Sequence, residues 1–478
     1  MNALLAACAV ILGAVISVAV RGGAQAVLFC AACALAFGFA ISRVKEQKVF
    51  LLQIFVGGLL LRVVIGTVVN VFELQAFFGG DALMYDVLGK DLLDSLRGVA
   101  VGTVAATEWA QTAGGWGMLY LVAAVYAVVG QNMLAVQFFN AVVGAATAPV
   151  IFLCAHHIFG NLRVARLAAL FVAFFPSLVL WSSQGLKDGP IVFLLAAAML
   201  STLRLGERLS VRHISALVLA LSAIITLRFY VFYMLVAAIG GAFLVGMRSV
   251  AKQSLARQIL IIAVVGMALT YLGVLRTAGS QFDTYANLQT IQRSRADLAA
   301  TARSGFGQEV NVSTTSGALS AIPVGIVYLL FAPFPWQLAN LRQSITLPEM
   351  LVWWGSFPFL ALGVWFTIKY RLRQALPILI FTTMLTLAYS IFQGNVGTAY
   401  RQRSQILIFY FIFVSVGFIL LRERREDKLR EAALARRRSY ETSRAIEVEA
   451  RRRYEKWKSE RGQELEVVAR NLSEKVDF

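Results

Sequence analysis

Apolar runs of about 17–25 residues recur along this chain, and they restrict its fold more than any other feature. Each is long enough to cross ~30 Å of hydrocarbon as a helix. The composition agrees: 59% of 478 residues are hydrophobic and 15% are charged. A soluble domain is about half apolar and roughly a quarter charged. No window alternates as a strand does, so backbone groups inside lipid must be satisfied by helices and not by a barrel. The predicted class is an all-α polytopic membrane protein.

Twelve spans are predicted, at 3–20, 22–41, 49–73, 133–158, 164–182, 189–204, 213–227, 229–247, 258–275, 349–368, 375–392 and 404–421. The first lacks the basic segment that opens a signal peptide. Basic loops lie between spans: Arg43/Lys45/Lys48, Arg163/Arg166, Arg204/Arg208/Arg212, Arg248/Lys252/Arg257 and Lys369/Arg371/Arg373. Placing these loops and both termini in the cytoplasm satisfies the positive-inside rule. Two further apolar stretches, 114–129 and 319–338, then cannot cross, because a crossing would invert the later loops. They are expected as juxtamembrane or re-entrant segments on the outer side. Pro333 and Pro335 in the second agree with this.

The net charge of +18 does not point to nucleic acid. From Arg422 onward 17 Lys/Arg stand beside 13 Asp/Glu, and the 27 basic residues before that point gather in the short loops. The division expected is two N-terminal spans over 1–48, a transmembrane catalytic domain over 49–421, and a charged cytoplasmic helix over 422–478. That last helix reads as a solvated, charge-laced face. Its sparse apolar positions also suit a protein partner or a lipid surface. Cys8, Cys30, Cys33 and Cys154 all fall in apolar runs, so Cys30-x-x-Cys33 reads as packing and not as a redox pair.

On this topology nearly all the remaining carboxylates face outward, including Glu73 to Glu108, Asp188, and Asp283 to Glu309, with Glu349 unassigned. Acid–base chemistry is therefore expected outside. Gly79-Gly80-Asp81 opens the first outer loop, followed by Leu83, Val87, Leu88, Leu92 and Leu96 at helical spacing. That pattern is a short interfacial helix. Asp81 either caps this helix or acts as a general base at the water–membrane boundary. Lys187-Asp188 begins another span, either as a hydrated turn or as a phosphate-binding and base-holding pair. Arg228, beside Phe229 and Tyr230, marks the outer turn of a hairpin, where an arginine either snorkels or clamps a phosphate. Arg401 and Arg403 precede the final span in the same way. Together these groups fit a reaction in which a lipid phosphate leaves while a hydroxyl is deprotonated.

These residues resemble the GT-C superfamily of polyprenyl-phosphate-sugar-dependent glycosyltransferases, in the branch of the protein O-mannosyltransferases and lipid A aminoarabinose transferases. The likeness covers about Phe50 to Leu205. It rests on Asp81 and Tyr85 in the first outer loop and on the segment Gly117 to Gly130. Gln131-Asn132, Gln137 and Asn140 follow, then the basic turn Gly160 to Arg166, Pro176 and Lys187-Asp188. The resemblance implies a GT-C-like fold with Asp81 as the base. It also implies a sugar on undecaprenyl or another polyprenyl phosphate as donor, and inversion at the anomeric carbon. Tyr85, Lys187, Asp188, Arg228, Tyr230, Arg401 and Arg403 become the substrate-binding candidates. With no appended sugar-binding domain, a glycolipid or polysaccharide acceptor is expected at the outer face of a bacterial inner membrane. Some members use a divalent cation, but Asp81 with Asp188 lacks a third ligand. The alternatives are an O-antigen or exopolysaccharide polymerase or ligase acting on lipid diphosphate-linked oligosaccharide, a transporter, and a non-enzymatic envelope-assembly factor.

Overall fold

The computed structural model describes residues 3–99, 115–246, 252–285, 287–300, 305–306, 310–338 and 341–473. Glu108, Arg248 and Glu309, which entered the charge topology, lie outside this set. Among the described residues the chain is helical throughout, with one isolated bridge between Gly305 and Asn395. The all-α polytopic class expected from composition is the class found, and the protein is a multi-pass membrane protein.

The count of twelve spans is not reproduced. Among the described residues seven helices are long and apolar enough to cross, or nine if two bent pairs each count as one span. Several expected spans are helices of 10–17 residues, among them Ala3–Ala19 and Val211–Leu227. At 1.5 Å per residue such helices reach only ~15–26 Å. Gly117–Val129 and Thr315–Phe331, the two stretches expected not to cross, fall in this same short class.

Helix Met133–Phe159 is the hub, with 83% of its apolar window buried inside the protein. Asn132 starts it by accepting from the Ala135 N–H at 3.2 Å, and it also donates to the Gly22 carbonyl at 2.8 Å. The helix packs against Gly23–Ser42, Lys48–Val71, Leu162–Phe174 and Asp188–Glu207. Small residues permit the close approach. A Cβ on Gly144 would stand 2.4 Å from Ser182 Cβ.

The predicted span 164–182 is broken. Leu162–Phe174 and Pro176–Ser182 meet at 53°. Pro176 has no N–H to give the Val172 carbonyl, and the Ser177 N–H, which a continuous helix would give to Ala173, goes instead to Glu349 Oε2 at 2.7 Å. Arg62, 1% exposed inside helix Lys48–Val71, supplies what is missing. Its guanidinium donates to the Ala173 carbonyl at 2.7 Å, to Val172 at 3.3 Å and to Ser182 Oγ at 2.8 Å. Removing it strands those carbonyls in a water-free interior. Arg62→Leu is therefore expected to cost about 2–4 kcal/mol. Thermal unfolding in detergent checks this, and an unchanged midpoint would refute it.

The residues Phe418–Phe478 form a separate compact unit. Its described residues are helical as far as Ser473, exposed from Glu423 to Arg470 apart from a few half-buried positions, and laced with i,i+4 ion pairs such as Arg437–Glu441 at 3.0 Å and Arg453–Glu449 at 3.2 Å. Pairs of this kind contribute about 0.3–0.5 kcal/mol each. Leu429, Tyr440, Ile446, Tyr454, Trp457, Leu465 and Val468 are exposed along it.

Candidate active site

Asp81 is the first residue of helix Asp81–Leu96, and the turn before it depends on Gly79, whose φ of +130° disfavours any side chain. The cap position itself is Gly80, and no side chain caps this helix end. The carboxylate points elsewhere: Arg401 Nη1 donates to Asp81 Oδ2 at 2.7 Å across 320 residues of sequence.

Arg401 belongs to the short helix Val396–Gln402, which Asn395 starts by accepting from the Gly397 N–H at 2.8 Å. The same guanidinium reaches a second carboxylate, with its Nε 2.8 Å from Asp188 Oδ2. Asp188 opens helix Asp188–Glu207 and is 1% exposed. Its other oxygen lies 3.4 Å from Arg228 Nη2. Of the two readings for Asp188, the hydrated turn gives way to a buried ion-pair centre, and Arg228, 4% exposed, is held inward and does not snorkel. The Arg228 guanidinium lies 6.0 Å from the Tyr230 ring centroid, and Tyr230 Oη donates to Gln402 Oε1 at 3.5 Å.

These groups border a cavity of about 1030 Å³. Asp81, Lys187, Arg228, Tyr230 and Arg401 line it, with Asp188 behind Arg401. Phe77, Phe78, Trp181, Phe229 and Leu341 line it too, so charged and apolar side chains share a single space. Four cations, Lys187, Arg228, Arg342 and Arg401, stand against the two carboxylates, an excess of two positive charges.

The local electrostatics follow from that crowding. Burial raises the Asp81 pKa, but the charge and hydrogen bond of Arg401 outweigh it, helped by Lys187 and Arg228, and hold the carboxyl below its usual value. Burial first, then the Arg228 charge, pushes the Lys187 ammonium down to about 8. Tyr85 is pushed up to about 12 by burial and by the Asp81 charge.

Two expected site residues stand elsewhere. Tyr85 is 3% exposed, on the face of its helix that packs into the core, and it does not line the cavity. Arg403 is 1% exposed and donates to the carbonyls of Leu330 at 3.0 Å and Ala332 at 3.2 Å, at the end of helix Thr315–Phe331. Pro333 offers no N–H there, so the arginine caps a helix terminus. Two other residues went unrecognised. Glu349 accepts from the Ser177 N–H and from Tyr400 Oη at 3.0 Å, tying three helices together beside the cavity. Arg342, on the cavity wall, stands 5.3 Å from the Phe77 ring centroid. It is one basic residue in the polar stretch before a span, and nothing in its spacing sets it apart.

A divalent cation fits this donor set poorly. Arg401 already occupies both carboxylates, and among the described residues no group of three His, Cys, Asp or Glu could hold a metal ion.

No curated protein sequence matches the chain. Among solved structures, ArnT from Cupriavidus metallidurans, crystallised bound to undecaprenyl phosphate, shares 17% identity. That likeness covers 63% of this chain and 49% of the other at a TM-score of 0.40. The chain thus spans about half the length of that protein, and at that score the likeness carries no argument about the site. The family model described as dolichyl-phosphate-mannose-protein mannosyltransferase matches residues 115–284, a segment containing Lys187, Asp188, Arg228 and Tyr230. Over residues 115–284 the chain has the sequence pattern of that GT-C glycosyltransferase family.

Proposed function

We propose that this protein transfers a sugar from a polyprenyl-phosphate donor to a hydroxyl of a glycolipid or polysaccharide acceptor. The reaction takes place on the outer face of a bacterial inner membrane, within the domain 49–421. The observation that carries this reading is the convergence of Asp81, Lys187, Arg228 and Arg401 on a cavity that aromatic and aliphatic side chains also line. An isoprenoid phosphate has that same division into an anionic head and an apolar chain. Asp81, half-exposed on the cavity, takes the proton of the acceptor hydroxyl. The acceptor oxygen bonds to the anomeric carbon as the carbon–oxygen bond to phosphate breaks, and the electron pair leaves with the polyprenyl phosphate. Attack from the face opposite the phosphate inverts the carbon. Lys187, Arg228 and Arg401 hold the charge that develops on the leaving phosphate.

The excess of cations lining the cavity suits an anionic lipid-linked donor, whether its sugar is carried on a monophosphate or a diphosphate. The deciding assay offers purified protein both kinds of lipid-linked sugar. Turnover of the monophosphate-linked donor supports the proposal. Consumption of diphosphate-linked oligosaccharide alone would establish the polymerase or ligase reading instead.

The Lys187 ammonium also predicts a pH effect. With a pKa near 8, it is charged below that value and loses its charge as the pH rises through it. The KM for donor should climb above pH 8 while the acceptor KM stays level. Lys187→Arg, charged throughout the range, should remove the alkaline rise. A donor KM that is flat across pH 7–9 in the native protein would exclude Lys187 from phosphate binding.

A further inference from the structure

Arg401 serves two carboxylates of opposite accessibility. Its Nε pairs with Asp188, which is 1% exposed and also paired with Arg228, so that contact is anchored in the core. Its Nη1 pairs with Asp81, whose side chain is 45% exposed on the cavity wall. A carboxylate held by a guanidinium at 2.7 Å is stabilised in its ionised form and is for that reason a poor base. Arg401 from helix Val396–Gln402, Lys187 from a helix start and Arg228 from the hairpin turn all favour the ionised Asp81, and the nearby Tyr85 feels the charges of Asp81, Arg401, Asp188 and Arg228 in turn.

Building on the donor class proposed above, we infer that Arg401 is an exchangeable latch: the phosphate of the bound donor takes over its Nη1 contact and so releases Asp81 to act as the base. The Asp188 contact keeps the guanidinium in place through the exchange, so only the cavity-facing half of its fork changes partner. Asp81 and phosphate are then competitors for one donor group, and the competition is reciprocal. Phosphate binding raises the proton affinity of Asp81, and loss of the Asp81 charge tightens phosphate binding. Base strength then appears only when a donor is bound, which spares the resting site from unproductive proton transfer.

Farnesyl phosphate, a short polyprenyl phosphate, is the probe, titrated against the full-length protein in detergent. Asp81→Asn is expected to bind it about tenfold more tightly than the native protein. Asp91→Asn, a charge loss elsewhere on the same helix, should bind it as the native protein does. In native-enzyme kinetics the acid limb of kcat, which reports the donor complex, should lie at least about one pH unit above that of kcat/KM, which reports the free enzyme. If the native protein binds the probe but Asp81→Asn binds it no more tightly and the two acid limbs coincide, the latch is refuted and the donor assignment stands. If the native protein does not bind the probe at all, the donor assignment fails and the latch fails with it.

Discussion

Asp81→Asn is expected to lower kcat/KM for sugar transfer by about 10²–10⁴-fold, the range a positioned general base contributes. Expression and thermal stability should stay near native. The two halves of this expectation have separate causes. Asn keeps the size of the side chain but cannot take the acceptor proton, so the chemical step loses its base. The fold loses little, because Gly80 and not Asp81 occupies the cap position and no side chain of this segment caps the helix. The ion pair to Arg401 is half-exposed on the Asp81 side, where such pairs contribute little. Transfer assays and unfolding in detergent on the same preparation decide the matter. Near-native turnover, or collapse of the fold, would each remove Asp81 from the chemistry.

How much of this site can be read from sequence depends on which physical signal each residue carries. Asp81, Asp188, Arg228 and Arg401 are charges at the mouths of apolar runs, and the cost of burying a charge in lipid marks such positions without any knowledge of packing. Their convergence is another matter, since the Asp81–Arg401 contact closes 320 residues and no periodicity encodes it. Arg401 and Arg403 show the limit most clearly. They are two residues apart with the same chemistry, yet two helical steps turn the second by about 200° away from the first. One meets Asp81 and the other caps the carbonyls before Pro333. Arg62 and Glu349 were missed for a related reason. Each has among its partners a backbone group freed by the break at Pro176, and the place where those groups point is a tertiary property. The polytopic class, by contrast, follows from run length and composition alone. The span count does not, because a short or bent helix gains its depth from its neighbours.

The largest stability effect is expected at Asp188. This carboxylate is 1% exposed and is the shared partner of Arg228 at 3.4 Å and Arg401 at 2.8 Å. Asp188→Ala leaves the buried Arg228 and the cavity-lining Arg401 near one another with their common counter-charge gone. Breaking a buried pair from one side costs about 3–5 kcal/mol, far more than the pair contributes when intact. A lower unfolding midpoint in detergent and loss of donor binding should appear together, because Arg401 would no longer be held where the phosphate needs it. A second substitution separates the two consequences. In the double variant Asp188→Ala with Arg228→Met, one orphaned cation is replaced by an apolar chain of similar length, so part of the stability should return. Transfer should not return, since one of the three cations placed at the leaving phosphate is then absent and Arg401 has lost its anchor. If Asp188→Ala unfolds at the native midpoint, the carboxylate does not organise the cation cluster. If the double variant recovers turnover along with stability, Arg228 is a packing residue and the phosphate is held by Lys187 and Arg401 alone.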